Sequence, residues 1–241
     1  MRTAPVLSSC LLACSLLMGS RPLAAEPVGS PASVLKKGQW VFGLLGGGLV
    51  NRELTKTAKA SFYHIEHVRG YGLTDWLSLY GKIGAGYLQI TDSAIRKRDG
   101  STDHAFGTNV LAAAQLKARL WQHAKNGVEW DGSLQYAYLS RKTSTANQPQ
   151  WQEWQASTSV AKSLGRLKPY VGIKLSRVTM DYRIREGGQT IGQGSYKDQA
   201  SVGAFFGSDV YLGESEDLVM NIETAYINGG GEVTMGIGYS F

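Results

Sequence analysis

Cysteine is nearly missing from this 241-residue chain: the two present, Cys10 and Cys14, both stand close to its start. If that start is cut away, the remainder has no disulfides and no thiol chemistry. Charge is scarce as well. Asp, Glu, Lys and Arg make up 18% of the residues, against about 25% in ordinary soluble domains. Long apolar runs are absent, and none approaches the roughly 18 residues that cross a membrane as a helix. No G-x-S-x-G elbow marks a serine nucleophile. The histidines do not make a metal set. His64 and His67 are an odd step apart, which points them to opposite faces of a strand, and His104 and His123 belong to connections at opposite ends. No metal and no cofactor is expected. Gly81–Gly86 reads formally as G-x-x-G-x-G, but within strand-like sequence and not at a strand-to-helix turn, which excludes a nucleotide site.

What the chain has instead is alternation. In Gly231–Phe241, Val233, Met235, Ile237, Tyr239 and Phe241 interleave with Glu232, Thr234, Gly236, Gly238 and Ser240. Successive side chains of a strand point to opposite faces, so one face is apolar and the other small or polar. The pattern recurs in Trp76–Gln89, Thr108–Trp121, Val128–Ser140, Tyr170–Tyr182 and Asp217–Tyr226, and more weakly in Gly38–Val50, Ala60–Tyr71, Trp151–Leu164 and Gln199–Tyr211. On the clear strands every charge falls on the small, polar face. A soluble barrel would show the reverse polarity, apolar inside and charged outside. Connections alternate between short (Gly72–Asp75, Gln122–Gly127, Gly165–Lys168, Leu212–Glu216) and long, basic ones (Asn51–Lys59, Thr91–His104, Arg141–Gln150, Arg183–Asp198). Aromatics gather at strand ends: Tyr63, Tyr87, Tyr138, Trp154, Tyr182 and Tyr226 at one level, Trp40, Tyr71, Tyr211 and Phe241 at the other. His67 and Arg69 break the rule by falling on the apolar face of the second strand, as Lys162 and Arg177 do on theirs. Arg69 and Lys162 lie near strand ends, where they can extend to water, and His67 suggests a bulge or a shifted register.

This combination of alternating strands, aromatic girdles and a terminal phenylalanine resembles the small outer-membrane β-barrel proteins of Gram-negative bacteria as a class. The resemblance implies an all-β, antiparallel up-and-down transmembrane barrel of about ten strands, with eight as the alternative, and periplasmic termini. It also implies that Tyr239 and Phe241 form the signal read by the barrel-assembly machinery, and that the surroundings are outer-membrane lipid and lipopolysaccharide. Residues 1–25 read as an export signal: Arg2, an apolar stretch, then Leu23-Ala24-Ala25. A competing reading takes Leu11-Leu12-Ala13-Cys14 as a lipidation site. Residues 26–37 read as a periplasmic tail, and 38–241 as the barrel.

If the polar face lines the lumen, it receives Lys82, Lys117, Arg119, Arg141 and Lys174 together with Glu129, Asp131, Glu153, Glu223 and Glu232. Charges removed from bulk water must be paired, and this balance favours a barrel closed by internal ion pairs over a narrow pore for small solutes. A selective channel would carry an excess of one sign. The basic rim of Arg96, Lys97, Arg98, Lys142, Arg183 and Arg185 suits lipopolysaccharide phosphates. Nucleic acid is not a sensible partner outside the cell, and no extracellular ligand is specified. Ten-stranded barrels include the omptin-like proteases, which place acids and a histidine above the membrane. Asp103-His104, with Asp92, Asp99 and Asp181, is the corresponding candidate here, weighed against ordinary solvated loop residues. The chain reads as a non-enzyme with a structural or surface-interaction role. A hydrolase is the third reading.

Overall fold

A computed structural model of the chain describes residues 34–140, 147–197, 201–213 and 215–241. Residues 1–25, most of the 26–37 tail, Arg141 and Lys142 lie outside the described residues. In order, the strands are β1 (Trp40–Glu53), β2 (Ala58–Thr74), β3 (Leu77–Asp92), β4 (Asp103–His123), β5 (Val128–Ser140), β6 (Gln148–Lys162), β7 (Leu167–Glu186), β8 (Gln189–Lys197), β9 (Ser201–Leu212), β10 (Leu218–Ile227) and β11 (Gly230–Ser240). Each of β1 to β7 pairs with the next, β7 continues to β9, β10 and β11, and β11 returns to β1, all antiparallel. The result is a closed ten-stranded barrel with one extra strand. The extra strand is β8. The distal half of β7 pairs with it from Thr179↔Lys197 to Glu186↔Gln189, while the proximal half of β7 pairs with β9. The segment 183–198, expected as a loop, is therefore mostly a projecting hairpin, turned by Gly187 and Gly188 with φ of 57° and 82°.

The wall changes polarity along its length. On β7, Val171, Ile173 and Leu175 point outward and are 50–61% exposed, opposite inward Lys174 and Ser176. Past Ser176 the faces exchange character. Outward positions become Arg177, Thr179, Asp181 and Arg183, and inward ones become Val178, Met180 and Ile184, each no more than 1% exposed. On β6 likewise, outward Trp154 gives way to Gln152 and Gln150, while inward Glu153 gives way to Trp151. The outer face of a single strand therefore changes from apolar to polar along its length. The distal interior is accordingly an apolar core containing Leu49, Phe62, Leu88, Phe106, Leu111, Trp151 and Met180.

Two irregularities re-aim side chains. Between Leu49 and Arg52 the β1–β2 register shifts, with Asn51 at φ 60°, and the bulge turns Arg52 inward. Near Gly107, at φ 67°, the β3–β4 register shifts and His104 and Phe106 turn inward. At His67 and Arg69 there is neither bulge nor slip: Leu44↔His67↔Ile83 and Phe42↔Arg69↔Gly81 are regular pairs. Both side chains face outward, so the irregularity expected at His67 does not exist. Two of the expected girdle residues face inward instead. Tyr182 stacks on Tyr196 at 4.6 Å, and Tyr211 packs with Leu35 and Val41.

Candidate functional site

The middle of the barrel holds a band of buried charge between two apolar layers. Arg52 is fully buried, donates to Glu153 at 2.6 Å and to Ser176 Oγ at 3.0 Å. Glu153 also accepts from Trp151 Nε1 at 3.2 Å and Gln155 Nε2 at 3.0 Å. Lys174 pairs with Glu232. Lys82 donates to Gln135 at 2.6 Å. Glu223 accepts from Tyr170, and Asn221 donates to Asp209. Towards the terminal end, Glu129 lies between Lys168 at 2.6 Å and Arg119 at 3.2 Å, with Asp131 3.9 Å from Arg119. Lys117 acts electrostatically on Asp131 and Asp209. Strand alternation aims these groups inward, and barrel closure makes strands far apart in sequence face one another.

The nine described members of the expected lumen network are all inward-facing and come together here; Arg141 lies outside the described residues. The sequence reading missed Arg52, Glu66, Lys168 and Asp209. Arg52 reads as a loop residue in the sequence because the bulge that turns it inward leaves no mark in the alternation. Lys168 falls in a connection by its sequence pattern, whereas β7 starts one residue before it. Glu66 bonds to His64 Nδ1 on the same inward face of β2, a signal that was available in their even spacing.

The terminal mouth is occupied by the chain itself. Val34 and Leu35 are buried, Leu35 N donates to Ser78 Oγ at 2.8 Å, and Arg119 Nη2 reaches Val34 O at 3.4 Å. Lys37 N donates to Asp75 Oδ1 at 3.1 Å. The described end of the tail is therefore docked against the barrel.

At the distal end, Arg96, Lys97 and Arg98 lie in a connection that touches the β7–β8 hairpin through Arg98 N and Glu186 Oε2, at 3.3 Å. That hairpin carries Arg183 and Arg185, so the described basic rim forms one neighbourhood. Asp92 accepts from Tyr196, and burial together with this bond holds the Tyr196 hydroxyl well above the ordinary phenol range. The omptin-like candidates do not converge. Asp103 points outward and accepts from Thr91 Oγ1, while its neighbour His104 is buried inside and bonds to Ile95 O at 3.1 Å. Asp181 is outward-facing, and Asp92 is engaged by Tyr196. Among the described residues, no group of His, Cys, Asp and Glu has the arrangement of a metal site.

No family model and no curated protein sequence matches this chain. Solved structures do. The outer membrane protease OmpT from Escherichia coli superposes with a TM-score of 0.50 at 10% identity, over 88% of this chain and 100% of that one. The translocator domain of the autotransporter NalP from Neisseria meningitidis gives 0.47 at 12% identity, over 99% and 100%. Neisserial surface protein A gives 0.40 at 11%, over 85% and 98%. At 10% identity the likeness to OmpT is one of fold: this chain has the closed antiparallel barrel fold of small outer-membrane β-barrel proteins.

Proposed function

We propose that this chain is an integral protein of the Gram-negative outer membrane, exported by a signal within residues 1–25, with periplasmic termini and a lumen that does not conduct. Its work is then done by the distal surface. The observation that carries the membrane reading is the polarity exchange along β7 at Ser176–Arg177, which a barrel standing in one solvent has no reason to make. The closed lumen is supported by three successive fillings. They are Val34 and Leu35 at the terminal mouth, the paired charges in the middle, and the apolar distal core. Ion pairs such as Arg52–Glu153, Lys174–Glu232 and Lys168–Glu129 neutralise much of the interior charge and leave less to attract a passing ion. The surface role is supported by the projecting β7–β8 hairpin and the basic connection resting against it, a natural counterpart for lipopolysaccharide phosphates. Nothing in the arrangement of Asp103 and His104 supports hydrolysis, and we read the protein as a non-enzyme.

The test is single-channel recording of the refolded chain in a planar bilayer, with the fold verified by β-type circular dichroism and heat-modifiable gel migration. Silence is expected. Discrete, repeatable steps would overturn the closed lumen in favour of a narrow pore. Recovery of the exported chain in the soluble periplasmic fraction would overturn the membrane reading itself.

A further inference from the structure

The apolar outer wall carries one basic pair near its terminal rim. Arg69 Nε donates to His67 Nε2 at 3.0 Å, and the guanidinium sits 5.2 Å from the ring centre of Phe42. Their neighbours on the same face are hydrophobic: Leu44, Ile65 and Ile83 are 53–61% exposed. Among the described residues no carboxylate pairs with Arg69. The rim itself is marked by Trp40 against Tyr71, with ring centres 4.6 Å apart. Arg69 stands two residues inside that rim, roughly 5 Å along the barrel axis for a tilted strand.

A cation on such a wall is ordinarily relieved by extending to water. This one is not extended. Its Nε is bound to a histidine two residues deeper in the wall, and its guanidinium lies over the ring of Phe42. That geometry leaves the terminal Nη pair as the donors available to an outside acceptor, and a guanidinium recognises a phosphate through such a fork. Space is present on both sides. Across β3, the partner of Arg69 is Gly81, where an added Cβ would meet nothing within 4 Å. Across β1, a shallow, widely open groove of about 340 Å³ lies between Phe42, Leu44, His67, Leu218, Ile237 and Tyr239. A molecule suited to this wall carries an anionic oxygen group at the rim and a hydrocarbon chain that continues along the groove.

We propose that Arg69, positioned by His67 and Phe42, binds the phosphate of a membrane phospholipid whose acyl chain lies in the groove along β1 and β11. The site rests on the membrane reading above. The charge match selects a lipid over a second copy of the chain, because the exposed wall around the pair offers no acid to meet the guanidinium.

The test is native mass spectrometry of the chain released from nanodiscs of phosphatidylethanolamine and phosphatidylglycerol. Heat-modifiable migration is scored first, so failure to insert, which would overturn both readings, is seen before any lipid is measured. The wild-type chain is expected to retain a single phospholipid. Arg69→Ala removes the cation, and Gly81→Leu puts bulk into the space beside it, where an added Cβ meets nothing within 4 Å. Each should lower the retained fraction at least tenfold with migration unchanged. Arg177→Ala, an outward arginine at the other end of the wall, should leave retention as in the wild type. Absence of an adduct on the wild type, equal adducts on all variants, or a two-copy mass that Arg69→Ala abolishes would each overturn the site.

Discussion

Arg52 and Glu153 are 101 residues apart in the chain and meet at 2.6 Å inside the barrel, both almost completely buried. Neither can be removed alone without stranding the other in a low-dielectric interior. Arg52→Met should therefore cost about 3–5 kcal/mol. Arg52→Met with Glu153→Gln, which leaves no unpaired charge and keeps an acceptor for Trp151 and Gln155, should recover most of that loss. Unfolding by urea in lipid vesicles, followed by gel migration, measures both.

Adjacent glycines of β1 should behave differently. A Cβ on Gly47 would lie 2.5 Å from Thr234 Cγ2 and 2.9 Å from His64 Nε2, whereas one on Gly46 would meet only His64 O at 3.6 Å. Gly47 points into a filled interior and Gly46 to the outside. Gly47→Ala is expected to destabilise by about 1–3 kcal/mol through overpacking, and Gly46→Ala to be tolerated. Parallel urea titrations of the two variants separate them. Equal behaviour would contradict the assignment of faces.

Ile83 is 60% exposed in the middle of the apolar belt. Arginine there should cost about 2–4 kcal/mol in a bilayer. The same replacement of outward Thr179, beyond the polarity exchange on β7, should cost less than about 1 kcal/mol because water lies outside. Refolding yields into vesicles, compared for Ile83→Arg and Thr179→Arg, locate the membrane boundary directly.

The Tyr196–Asp92 bond ties the β7–β8 hairpin to the end of β3. Tyr196→Phe leaves a buried carboxylate short of a donor and should speed amide exchange across β8, with a local loss of about 1.5–3 kcal/mol. The pH dependence follows from the raised phenol value. Its folded pKa exceeds the ordinary value near 10, so the bond contributes fully below about pH 10 and is lost progressively above it. Hairpin protection should fall with rising alkalinity in the wild type. Tyr196→Phe should lack that dependence, which exchange measurements at several alkaline pH values would read.

Much of the wall was legible before any coordinate. Leu79 and Ile83 outside against Tyr80 and Lys82 inside follow from period two alone, and the boundaries of β3, β5 and β10 fall within a few residues of their sequence estimates. What alternation could not supply was where its meaning inverts. Val178, Met180 and Ile184 keep the same inward parity as Lys174, and only the solvent outside the wall makes them a core. Nor could it register the bulges at Asn51 and Gly107, which shift parity by one and bring Arg52 and His104 inside.

By itself, then, the sequence determined that this is a barrel of about ten strands with an apolar belt, because each strand carries its two faces as a local, period-two record. Only the tertiary structure decided which interior groups meet. Pairings such as Arg52–Glu153, Lys174–Glu232 and Lys168–Glu129, and the docking of Leu35 beneath Ser78, depend on strand tilt and closure of the sheet on itself. Those are properties of the whole ring, and no single strand encodes them.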